Sequence, residues 1–242
     1  MTLSPADREA LAPKGHLRAA LNHGNFVLVG RDQSRKPFGI SVDLAKEFAR
    51  ACELDLQFVE FERAVDVSSS ATSDLWDICF LAVDPKRAKT IDFTMPYIRI
   101  EGRYLAGAHC DAADAGALIS SGAKVGSVHG SAYTLTLARQ EGAENLVLFE
   151  NLGAALAALD AGKVAAIAGI GEAMAHEGAT RPGSRVLSPP FMEIRQAMAM
   201  PQGRPEASQI LKDWLSEAAR SGLTGDILER HGIARSCAIL PE

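Results

Sequence analysis

The sequence predicts an α/β protein built as two lobes joined by two chain crossings. Three observations carry this. Strand-length apolar runs alternate with amphipathic segments of helical length, the mark of βαβ units and mostly parallel sheets. The alternation stops near residue 100 and restarts as a second series. A further strand-like run near residue 195 returns the chain after that second series. Ligands of open α/β sheets bind outside the carboxyl ends of the strands. Two such sheets facing each other would enclose a cleft, a default ligand site.

The elements follow in order. Ser4 before Pro5 is a helix start, a side-chain cap followed by proline at the first helical position, and that helix ends before Pro13. HLRAAL (16–21) alternates and reads as a strand; Ser41 to Cys52 reads as a helix burying Leu44, Ala45, Phe48 and Cys52. LQFVEF (56–61) is a strand, SSSATSD (68–74) a small polar surface loop, and WDICFLAV (76–83) a central strand buried on both faces. Pro85 to Thr90 forms one or two helical turns, and IDFT (91–94) and RYLAGA (103–108) form two short strands. The second series runs helix 113–121, strand 123–128, helix 132–140, strand 146–149, helix 152–161, strand 164–169 and a helix from Gly171. RQAMAM (195–200) is a strand, followed by helices 205–221 and 225–230 with a break at Gly222.

Composition narrows the function. The 242 residues suffice for one large domain or two small ones. Apolar residues are 47% and charged residues 23%, ordinary for a globular chain, so disorder is not expected. The net charge of −5 and the absence of a Lys/Arg run argue against nucleic acid and anionic membranes as partners. Cys52, Cys79, Cys110 and Cys237 show no metal-ligand spacing. Cys52 and Cys79 read as buried thiols, with a disulfide between them left open. No HExxH, GxxxxGK[ST], GxSxG or dinucleotide fingerprint occurs, so no cofactor and no metal is expected. No segment reaches 18 consecutive apolar residues. The first residues lack the marks of a signal peptide, so the reading is periplasmic if an upstream leader was removed and cytoplasmic otherwise.

Several segments in order resemble the family 3 (polar amino acid type) bacterial solute-binding proteins. GISVDLAKEFARA (39–51) resembles the family's first-helix signature, and WDICFLAVDPKRAKTIDFTMPY (76–97) its D-A-I-I-A-G-L-S-I-T-P-E-R stretch with D-F-S-x-P-Y. KVGSVHGSAY (124–133) resembles the V-G-V-x-x-G-T element, and LDAGKVAAIAG (159–169) the L-x-x-G-R-V-D-A-V segment. The resemblance covers roughly residues 15 to 233. It implies the type II periplasmic binding protein fold, two Rossmann-like lobes joined by a two-strand hinge. Lobe one would be 1–97 with 197–242 and lobe two 102–192, with the hinge near 98–101 and 193–196. It also implies capture of a small solute for an ABC-type permease by a monomer, with no catalysis.

The resemblance places the ligand-carboxylate arginine at Arg87, and a planar guanidinium suits that role. The competing reading is a surface arginine paired with Asp84 or Asp92. Other family contacts are replaced: the hydroxyl residue by Ala82, the second-lobe aspartate by Ile170, the first-lobe acid by Asn22, and the threonine-rich element by Gly130, Ser131 and Ala132. A buried ammonium without a compensating anion costs several kcal/mol. The expected ligand is therefore an anion without an amine, such as a small carboxylate. Asn25 and Phe26 follow strand one and are further candidates, and Phe61 is either an aromatic wall or a core residue. Backbone N–H groups at Ser131 to Tyr133 could receive an anion. Two alternatives share the fold: a cyclohexadienyl-dehydratase-like enzyme, which needs an acid near Ile170 where Glu172 is the nearest, and a cytoplasmic ligand sensor. His23 or His129 could serve as a base, though no spacing argues for it.

Overall fold

Residues 3–241 are described in a computed structural model. They divide into two compact units, Met1–Arg99 with Arg195–Glu242, and Ile100–Ile194.

The first unit opens with α1 (Pro5–Leu11). Ser4 Oγ accepts from Asp7 N–H while Asp7 Oδ2 accepts from Ser4 N–H, a reciprocal capping box. Then follow β1 (Leu17–Asn22), a hairpin of β2 (Gly30–Arg31) and β3 (Pro37–Phe38), α2 (Ile40–Cys52), β4 (Leu56–Phe61), α3 (Ala64–Ser69) and β5 (Ile78–Ala82). The chain leaves this unit inside β6 (Ile91–Ala106).

The second unit contains α4 (Ala115–Ser120), β7 (Val125–Val128), α5 (Ala132–Leu137), β8 (Leu146–Phe149), α6 (Leu152–Asp160), β9 (Ala166–Ile170), α7 (Gly171–Ala179) and β10 (Arg185–Val186). The chain returns inside β11 (Met192–Pro201) and closes with α8 (Pro205–Arg220) and α9 (Leu223–Arg230) on the first unit.

In the first unit the strand order is β4-β1-β5-β11-β6. β1 lies parallel between β4 and β5, and β11 runs antiparallel to β5. All six residues of β1 and all five of β5 are buried, because helices cover both faces of such a sheet. The alternation read in 16–21 is therefore not an exposed face: β1 is central and buried throughout. Phe48 of α2 meets Trp214 of α8 edge to face at 5.1 Å on one side of this core. In the second unit the order is β6-β9-β7-β8, with β7 parallel to both β8 and β9, and β10 antiparallel on β6.

Several expectations are corrected. The two short strands at 91–94 and 103–108 are one strand of 16 residues. Pro96 lies inside it, and just beyond, the Tyr97 carbonyl accepts from Ile239 N–H at 3.2 Å and Ile98 bridges to Ala238. The polar stretch 68–74 is not wholly a surface loop: α3 takes Ser68 and Ser69, Ala71 is buried, and Ser70 Oγ accepts from Trp76 Nε1 at 3.0 Å. The helical turns at 85–90 shrink to a single 3-10 turn, Arg87–Lys89. The helix expected over 132–140 stops at Leu137. The possible Cys52–Cys79 bond is not formed, and all four thiols are free. Burial pushes the Cys52 thiol up to about 11 and the Cys79 thiol up as well, so both behave as small apolar groups.

Candidate ligand-binding site

The parallel strands of the first unit end together. β1 stops at Asn22, β4 at Phe61 and β5 at Ala82, with Asn22 in register with Phe61. Arg87 reaches back to this edge. Asp84 shapes the intervening turn: its Oδ1 accepts from Lys86 N–H at 2.8 Å and its carbonyl from Ala88 N–H at 2.9 Å. Nη1 of Arg87 then donates to the Ala82 carbonyl at 3.0 Å. Arg87 is only 4% exposed, so it is not a surface arginine, while the charge of Asp84 does act on it. Asp92 is engaged elsewhere, by Lys212 and Ser208. Burial lowers the pKa of the Arg87 guanidinium, and the charge of Asp84 opposes that shift.

The turn after β1 carries two buried amides. Asn22 Oδ1 accepts from Gly24 N–H at 3.1 Å, an Asx turn. Asn25 is 5% exposed, and its carbonyl accepts from Leu28 and Val29 N–H at 3.0 Å. Phe26, by contrast, is half exposed. Phe61 packs partly buried against the apolar cluster of Ala20, Val67, Trp76, Cys79 and Leu81.

An ionic chain lies beside this turn that motif reading did not find. His23 Nε2 is 2.7 Å from Glu60 Oε2, which also accepts from Arg31 Nε at 3.0 Å. Arg31 Nη2 donates to Glu62 Oε1 at 2.8 Å and holds that carboxyl below its usual range. His23 and Glu60 are 37 residues apart in sequence, and only the β1–β4 register joins them. The chain ties the β2–β3 hairpin to the end of β4.

In the second unit the remaining candidates also sit at carboxyl ends of strands, after β7 and at the end of β9. Ser131 caps α5: its Oγ accepts from Thr134 N–H at 3.2 Å, and its own N–H goes to the Val128 carbonyl at 3.1 Å. Its hydroxyl and amide are thus already used in the fold. Ala132 and Tyr133 begin the helix, where amides have no intrahelical acceptor. Tyr133 is buried, and burial pushes its phenol up to about 12. Ile170 caps α7 with an apolar side chain, and both Glu172 and His129 are exposed. Among the described residues no group of three or more His, Cys, Asp or Glu side chains could hold a metal ion. None of the described helices is long and apolar enough to cross a membrane.

Residues 20–233 match the family described as bacterial extracellular solute-binding proteins, family 3. The chain belongs to that family. Its fold is the type II periplasmic binding protein fold, and solved structures of this family 3 protein's neighbours span almost its whole length. A mutant of the T. maritima ArgBP superposes with a TM-score of 0.78 at 19% identity, covering 93% of this chain and 99% of that one. A histidine kinase sensor domain with similarity to periplasmic binding proteins gives 0.78 at 21%, covering 93% and 98%. AncCDT-1, an ancestral amino acid-binding protein and precursor of cyclohexadienyl dehydratase, gives 0.76 at 19%, covering 94% and 99%. At these identities the likeness extends to the fold and stops there. No curated protein matches the sequence of this family 3 member.

Proposed function

We propose that the chain is a solute-binding protein of an ABC-type uptake system and captures a small carboxylate-bearing metabolite that has no α-ammonium. The observation that carries this is a buried guanidinium, Arg87, held to the Ala82 carbonyl at the end of β5, in a unit where β1 ends on the uncharged Asn22. A guanidinium supplies paired donors for a carboxylate, and the amide of Asn22 stands where the resemblance expects the acid that would take an amine. In the second unit Ile170 stands where the resemblance expects an acid. A periplasmic location follows if a leader is removed.

The family membership supports binding as the activity, and the exposed position of Glu172 weighs against a dehydratase acid in the second unit. The sensor-domain neighbour favours one second reading, a ligand-sensing module with the same site chemistry.

Thermal shift across a panel of α-amino acids and amine-free carboxylates tests the ligand class, since a ligand raises apparent stability by mass action. Amine-free acids should raise Tm. Loss of a charge-assisted hydrogen-bond pair costs about 1.5–3 kcal/mol, so Arg87→Ala should weaken binding about ten- to a hundred-fold. Arg87→Lys should recover part, because a point charge cannot form the bidentate pair. Strong stabilisation by α-amino acids with no response to amine-free acids would overturn the proposal.

A further inference from the structure

Asn25 lies in the turn that Asn22 opens after β1, and its main chain is fully committed. Its N–H donates to the Asn22 carbonyl at 3.3 Å, and its carbonyl receives Leu28 and Val29 N–H at 3.0 Å. Its side chain is different. The residue is 95% buried, yet among the described residues nothing donates to Oδ1, which is itself buried. Folded proteins satisfy nearly all buried polar atoms, so an oxygen left without a donor in the turn after β1 calls for a partner. Three acids near the ends of β4 and β5 have partners within the fold. Glu60 and Glu62 are held by His23 and Arg31, and Asp84 Oδ1 receives Lys86 N–H.

Resting on the solute-binding reading above, we propose that Asn25 sets the specificity of the site, receiving a hydroxyl group of the ligand, and that the solute class is hydroxycarboxylates. A hydroxyl both donates and accepts, so it satisfies either end of the carboxamide. A keto acid accepts only and leaves Oδ1 unpaired, and a plain alkyl acid leaves it unpaired too. An ammonium could also donate to Oδ1, but the reading on which this rests is of a solute without an amine. A site built to hydrogen-bond a hydroxyl rejects the analogue that lacks one, because the protein group is then left buried and unpaired.

Isothermal titration with matched acids tests this: glycolate against acetate, lactate against propionate, malate against succinate. In the wild-type protein at least one hydroxy acid should bind about tenfold or more tighter than its partner. Asn25→Leu, close in volume, should bring that pair to within about twofold while the plain acid still binds. Asn25→Ala gives the same reading from a smaller side chain. Asn25→Asp keeps an acceptor and adds a repulsive charge, so both acids weaken while the preference for the hydroxyl remains. Equal binding of both members by the wild type, or a preference that survives Asn25→Leu and Asn25→Ala, overturns the inference and leaves the carboxylate reading standing. No binding by any carboxylate of either kind removes both.

Discussion

Asp77 shows how much a single side chain can organise away from the ligand edge. It is completely buried, and both oxygens are in use: Oδ2 accepts from the Arg18 backbone N–H at 2.9 Å and from Arg18 Nε at 3.0 Å, while Oδ1 accepts from Arg18 Nη2 at 3.0 Å and Arg204 Nη1 at 2.9 Å. Arg18 also reaches Asp74, and Arg204 reaches the Ala10 and Leu11 carbonyls, so one carboxylate joins β1, α1 and the start of α8. The carboxylates raise the pKa of the Arg18 guanidinium against the opposing effect of its burial. Removing one partner of a buried ion pair costs about 3–5 kcal/mol, because the other charges stay buried without compensation. Asp77→Asn should therefore destabilise the protein by that order in urea unfolding, with the slope of the transition unchanged. A loss under about 1 kcal/mol would show that water reaches these guanidiniums and that the network is not buried in effect.

Gly39 decides how α2 begins. Its φ is +122°, a backbone region closed to residues with a Cβ, and a Cβ there would sit 2.5 Å from the Leu28 carbonyl oxygen. Ser41 N–H donates to that same carbonyl at 3.1 Å, so it cannot yield without losing the bond. Gly39→Ala should cost at least about 1–3 kcal/mol, read as a lower urea midpoint; a neutral substitution would mean that the loop before α2 relaxes freely. α2 itself was legible from the 3.6-residue spacing of Leu44, Phe48 and Cys52, and its start differs from the expected one by a single residue. β4 and β8 were legible in full from their apolar runs. The β2–β3 hairpin was not, because each strand has two residues and two residues display no period. α3 was not either: its six residues, AVDVSS, run into small polar residues that read as loop. The site divides the same way. Arg87 was singled out from motif order and Asn25 from its place after the first strand, both by nearby chain alone. The His23–Glu60–Arg31 chain could not, because it depends on which strands pair. The unpaired oxygen of Asn25 depends on burial, which no local pattern reports.

The whole molecule buries every tyrosine it has, and that gives it a measurable alkaline limit. Tyr97, Tyr104 and Tyr133 are its three tyrosines, and each is under 10% exposed. Desolvation of the phenolate pushes Tyr104 and Tyr133 up to about 12 and raises Tyr97 as well. An unfolded chain ionises the same phenols near a pKa of about 10. Between those values the unfolded state has released protons that the native state still holds, so stability falls as pH rises. The contribution is complete below about pH 10 and is lost progressively as pH climbs through the folded-state values. Ultraviolet titration of the native protein should show almost no phenolate at about pH 10.5, where the chain in guanidinium should show well over half of its three ionised. Trp76 and Trp214, both buried in the first unit, supply the control: their fluorescence reports whether that unit is still folded at the pH in question. Tyr104 and Tyr133 belong to the second unit, so phenolate absorbance rising while tryptophan emission holds would locate the first alkaline opening there. Three phenolates ionising near pH 10 in a protein whose tryptophans remain native would contradict the burial of all three rings, and with it the packing of Tyr133 in the first turn of α5.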